Sequence, residues 1–144
     1  MTMDDNFVIV EKEDAGLEGS VFPGLSSYST EACSRIQERR QELQGHLFFD
    51  DLLSSVVEGY TKDAYPPQPN VENSLGTLCQ LILDSTLDRI KKAALLYYIA
   101  LDIDHQDSEH STAQSVIQTS GLPPNVVNII SGYWNLDRGN YTVR

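Results

Sequence analysis

The sequence predicts an all-α protein: an irregular helical bundle, or the start of an α-solenoid, of about six helices behind an extended acidic N-terminal segment. Three observations predict it. Apolar residues recur at three-and-four spacing in successive stretches from residue 29 to residue 139. Ser, Thr or Asn stands ahead of most of these stretches, where a side chain can satisfy the free N–H groups of a helix start. Gly45, Gly121 and Gly139 stand where the patterns stop.

The densest pattern is LDRIKKAALLYYIAL, from Leu87 to Leu101, with Leu87, Ile90, Ala94, Tyr97 and Leu101 on one face and Ser85 or Thr86 as the expected cap. From Ala93 onward its other faces are apolar too, so neighbours must cover it on several sides. It is the expected central helix. The run is too short for a bilayer, which needs about 20 apolar residues. Tyr97 and Tyr98 each carry a hydroxyl that wants a partner, so one of them is expected to face a groove or the surface.

The preceding and following stretches are arranged around it. Residues 1–27 are acidic and contain one short apolar run, FVIV from Phe7 to Val10; they read as a flexible or extended segment, apart from a helical domain at 28–144. A helix capped by Ser29 or Thr30 runs to Gly45 with a thin apolar stripe, Ala32, Ile36 and Leu43. Its Arg35, Glu38, Arg39, Arg40 and Glu42 are expected to be solvated. The next helix, 46–59, points Leu47, Phe48, Leu52, Leu53, Val56 and Val57 inward and leaves Phe49 out. Three prolines then make residues 60–70 a stiff, exposed connection in which Tyr65, beside Pro66 and Pro67, either seals the edge of the core or is a docking knob.

Asn70 is the expected cap of a third helix with Val71, Leu75, Leu78, Cys79, Ile82 and Leu83 buried, and Gly76 is expected to allow close helix contact. A link of one or two residues at Ser85 and Thr86 then makes a helical hairpin with the central helix. After Leu101 the stretch DIDHQDSEHS reads as an acidic solvated loop. It fails as an EF-hand begun at Asp102, because Asp107 and Ala113 stand where glycine and glutamate are required. A short helix at 112–120 follows. Pro124 opens the last one, with Val127, Ile130, Trp134 and Leu136 inward. Asn140 then looks like the cap of a further helix, so the domain is expected to be truncated at its C-terminal end.

Composition excludes several classes of function. A chain of 144 residues with 40% apolar residues is one domain, which buries roughly 70% of its unfolded surface. A net charge of −11 and a pI near 4.4 argue against direct nucleic-acid binding and against an acidic membrane surface. Cys33 and Cys79 lack ligand-like spacing and fit a reducing compartment. No secretion signal is read in MTMDDNF, so the Asn140-Tyr141-Thr142 sequon is expected to stay unmodified. There is no phosphate loop, nucleophile elbow, zinc helix or Cys-His dyad, so no enzyme, metal, cofactor or small-molecule ligand is expected.

From Val21 to Arg144 the chain resembles the helical domain of the ELYS family of nuclear pore complex assembly factors, in its short fungal form. The motifs that carry the resemblance follow one order: FPGLSSYS, IQERRQELQGHLFFDDLL, AYPPQPN, KKAALLYYIALD and GLPPNVVNIISGYWNLDRGNY. The family's further C-terminal helices and the DNA-binding tail of its animal members have no counterpart in this sequence. The resemblance implies a non-catalytic scaffold in the nuclear envelope, bound to nucleoporins of the Y-shaped coat complex near its propeller-bearing short arm and serving transport through the pore. Carried over by position, Tyr65, Pro66 and Pro67 match the family's YPP turn. Tyr97, Tyr98 and Asp102, with Trp134, Asp137 and Arg138, match motifs expected to hold the fold. Phe49, Tyr65 and Tyr133, together with the turn prolines, are the candidate partner contacts, since interfaces concentrate their energy in a few anchors. A helical adaptor outside the pore and a small hydrolase are the alternatives.

Overall fold

The computed structural model describes residues 27–106 and 112–139. Within them are six α-helices and no strand: α1 Thr30–Glu42, α2 Phe48–Val56, α3 Ser74–Leu83, α4 Arg89–Gln106, α5 Thr112–Ser120 and α6 Pro124–Arg138, with a short 3-10 turn at Lys62–Ala64. The FVIV run, part of the acidic loop and Asn140 lie outside the described residues.

The central helix is α4. It packs most extensively on α5 and α6 and also meets α3, while α6 reaches across to α2 and α1, making a closed bundle. Ala93 to Ala100 are all buried. Such a helix exists only because its neighbours cover every face. Lys92 is buried there as well, against the usual placement of an ammonium group.

The limits of α4 differ from those expected. Asp88, rather than Ser85 or Thr86, supplies the first-turn cap, its carboxylate accepting from the Lys91 N–H at 2.9 Å. The link from α3 is therefore longer than two residues. At the other end the helix runs on to Gln106, so Asp102, Asp104 and His105 are helical and not part of a loop. The reason is a distant one: Asp102 is neutralised from inside the bundle, and Asp104 caps the following helix by accepting from Thr112 N–H at 2.8 Å and Ala113 N–H at 3.0 Å.

Helix α1 begins as expected, the Ser29 hydroxyl accepting from Ala32 N–H at 3.1 Å. Its Arg40 is buried instead of solvated, because Asp50 of α2 waits beside it. Along α2 and its two caps, Leu47, Leu53 and Val57 are buried as expected, but Phe49 turns inward in place of Phe48. Phe49, Leu53 and Val57 fill the core, while Phe48 is 38% exposed and Leu52 and Val56 are half-buried. The i, i+4 stripe that faces inward is thus 49–53–57, one step on from 48–52–56.

Helix α3 starts at Ser74, not Asn70, with Asn73 as its left-handed N-cap, and Val71 stays 52% exposed outside it. A Cβ on Gly76 would lie 2.6 Å from the Asn73 side chain, so this glycine makes room for the cap and not for another helix. In α6, Leu136 is 51% exposed against expectation, while Ile130 and Trp134 point inward. Gly139 closes α6 at φ +74°, a left-handed angle that glycine adopts without a Cβ penalty.

Candidate functional site

Three carboxylates are buried in this helical bundle, and each collects donors from separate elements. Asp102 of α4 accepts from the hydroxyls of Tyr28 at 2.7 Å and Tyr65 at 2.6 Å, and from the Trp134 indole at 2.7 Å. Arg138 forms an ion pair with the same carboxylate and lies 5.4 Å from the centre of the Trp134 ring. Asp137 of α6 accepts from the backbone N–H groups of Phe48 at 2.8 Å and Phe49 at 3.1 Å, and from the Tyr98 hydroxyl at 2.5 Å. An acid from α6 therefore satisfies the free donors at the N-terminus of α2, where negative charge is favoured. Asp50 receives a two-pronged bond from Arg40, at 2.8 and 2.6 Å, plus the Leu47 N–H and the Tyr60 hydroxyl.

Aromatic rings fill the space between these acids. Phe49 stacks on Tyr98 with ring centres 3.7 Å apart, and Tyr65 meets Phe49, Tyr98 and Tyr28 edge-on. Burial holds the Tyr28, Tyr65 and Tyr98 hydroxyls well above the ordinary phenol range, so they stay protonated and donate. Burial also raises the Asp137 carboxyl, against the bonds from Tyr98 and the two N–H groups that lower it. Burial works against the charge of Arg40, but its bonds to Asp50 outweigh this and raise its pKa. Each of the three acids is held by three or four fixed donors, which ties it to the fold.

The YPP segment is part of the same core. Tyr65, Pro66 and Pro67 are buried, the Tyr65–Pro66 peptide is cis, and the Pro67 carbonyl accepts from Tyr28 N–H at 3.1 Å. Arg40 also donates to the Tyr65 carbonyl at 2.7 Å. Tyr65 thus seals the core and is no docking knob, and the expected partner contacts at Phe49 and Tyr65 are corrected: both are 0% exposed, so neither can meet a partner on the surface of the folded chain. Tyr97 and Tyr98 are both buried too, Tyr97 sharing a bond of 3.0 Å with Ser131, so neither reaches the surface as expected. Tyr133 is different. Half-buried on α6, it lies against Phe48 with ring centres 3.9 Å apart, and Ile129 and Leu136 of the same helix are about half exposed.

Sequence reasoning missed Asp50, Arg40, Arg39 and Tyr28. Arg39 donates to the carbonyls of Leu136 at 2.9 Å and Asp137 at 2.8 Å, the unsatisfied end of α6. One signal was available, since Asp50 occupies the third position of α2, where an acid commonly reaches back to the cap N–H. The others depend on partners far away in sequence. Among the described residues no three His, Cys, Asp or Glu side chains gather as metal ligands, and no helix is long and apolar enough to cross a membrane.

Residues 46–143 match the family model ELYS, described as nuclear pore complex assembly. The chain belongs to the ELYS family. A fission yeast relative, the Schizosaccharomyces pombe protein named ely5, is 31% identical over 112 residues, covering 77% of this chain and 35% of its own length. The chain thus spans about a third of that curated relative. No solved structure matches it. The ELYS match begins at His46, and so takes in Asp50, Asp102, Asp137 and the YPP segment, while Tyr28 and Arg40, which bond to two of these acids, lie before it.

Proposed function

We propose that this ELYS-family chain is a non-catalytic structural nucleoporin whose helical body docks onto the Y-shaped coat complex of the nuclear pore, near its propeller-bearing short arm. The family match carries this reading. The buried acids support it, since each ties separate elements into one block. In this role the protein resides at the nuclear envelope, contacts other nucleoporins, and supports pore assembly and through it the passage of mRNA and protein. Tyr133 remains a candidate contact and Phe48 joins it, as a partly exposed aromatic pair of the kind that anchors interfaces. Phe49, Tyr65, Pro66 and Pro67 serve the fold behind it.

The test is capture of coat nucleoporins by the tagged full chain, compared with Phe48→Ala and Tyr133→Ala variants of unchanged thermal stability. Reduced capture and a weakened nuclear rim signal are expected. A diffuse cellular signal for the parent chain would overturn the pore assignment. Undiminished capture by both variants would remove this aromatic pair from the interface.

A further inference from the structure

Among the described residues, every glycine but one has a reason within the fold. Gly45, Gly59, Gly121 and Gly139 hold left-handed angles, and Gly76 leaves room for the Asn73 side chain. Gly132 does neither. It stands inside α6, where an added Cβ would meet nothing within 4 Å. Glycine in a helix interior costs about 0.5–1 kcal/mol relative to alanine, and the single folded chain gains nothing in return.

The residues around it form an exposed seam. Ile129, Gly132 and Leu136 follow one another at intervals of three and four, so they share one face, while Ile130, Trp134 and Asp137 point inward. Ile129 and Leu136 are each 51% exposed, and Asn125 continues the seam one turn earlier. No charge falls along it. Ser111 to Leu136 is a run of 26 residues without Asp, Glu, Lys or Arg, in a chain that is 22% charged and carries a net −11. At that average the run would hold about six charged residues. Depletion of charge is what marks the centre of a protein interface.

We infer that this face of α6 pairs with the same face of a second copy of the chain, antiparallel about a two-fold axis, Ile129 of each copy lying over the partner's Gly132. A two-fold contact must be complementary to itself, so that if one residue meets another the reverse pair forms as well. The seam meets that condition in size. Each Ile129 falls on a gap, the backbones approach closely there, and in the same register Leu136 comes opposite the partner's Asn125. The seam meets it in charge too. Copies of so acidic a chain repel one another wherever carboxylates face outward, and α6 is a surface on which they meet without that repulsion. A strongly charged partner would find nothing on this face to pair with. The helix has 15 residues and is about 22 Å long, so the contact belongs to the small class below about 1,200 Å² and the pairing is weak and concentration-dependent.

Sedimentation equilibrium of the full chain, from micromolar to millimolar concentration, tests the pairing. The average mass is expected to climb from 16.1 kDa toward twice that value. Gly132→Gln fits the free chain, because the space above it is open, and favours the helix, yet it obstructs the close approach. Association is expected to fall about tenfold or more, the effect of losing a contact at an interface centre. Ile129→Glu with Leu136→Glu, both at exposed positions, is expected to stay monomeric at every concentration. Thermal melts of the dilute variants confirm that each is folded. A parent chain that stays monomeric throughout would overturn the inference. So would a mass that climbs undiminished in either variant, which places the contact on another surface.

Discussion

Asp102 shows how a single side chain can tie distant parts of a helical protein together. Its partners Tyr28, Tyr65, and Trp134 with Arg138 come from three separate stretches of chain. Removing one partner of a buried ion pair costs about 3–5 kcal/mol, because the other charge is left unpaired. Asp102→Ala is expected to lower stability by about that amount in urea titrations, with Arg138 the group left stranded. A loss below about 1 kcal/mol, the value of an exposed pair, would show that the pair is solvated. Asp137 makes a prediction in pH. Its folded pKa is raised by burial, so the native state holds more protons than the unfolded chain between the ordinary carboxylate range and the raised value. The stability contribution of this group is complete below that window and is lost as pH rises through it. Asp137→Asn is expected to remove that falling component from a plot of stability against pH. Neither acid's partners were legible locally: Tyr28 and Asp102 are 74 positions apart, and periodicity reports faces, not partners.

At the scale of elements, starts and stops were read with uneven success for a physical reason. Ser29, one of the two candidate caps, does cap α1, its hydroxyl accepting from Ala32 N–H. Ahead of α4, Ser85, Thr86 and Asp88 are all capable caps, and packing selects Asp88. The inward turn of Phe49 in α2 has the same origin. Both 48–52–56 and 49–53–57 are apolar stripes, and the choice falls to Phe49 because it stacks on Tyr98. Capping by Asp104 is testable at this scale. Asp104→Ala is expected to cost about 1 kcal/mol and to speed amide exchange in Thr112–Ser120 before the other helices. Equal acceleration in all helices would show that α5 has no separate dependence on this cap.

For the whole molecule, the all-α class was legible because helical spacing recurs along most of the chain, and the densest apolar stretch did become the central helix. The arrangement of helices was not, since it depends on buried acids that look like solvated ones in a sequence. Burial makes a further prediction for the two thiols. Cys33 and Cys79 are nearly inaccessible and their pKa values are raised by burial, so little reactive thiolate is present in the native state. Labelling by a thiol reagent is expected to be slow in native buffer and to rise in step with unfolding as urea is added. Fast native labelling of Cys79 would mean that α3 opens independently of the bundle.

The chain's one tryptophan stands where α4 and α6 meet, bonded to Asp102 and flanked by Arg138 and His105. Its emission is therefore a native gauge of whether that junction is shut. A spectroscopist needs no dye to follow the closing of the two helices during refolding, or any loosening when a partner is added.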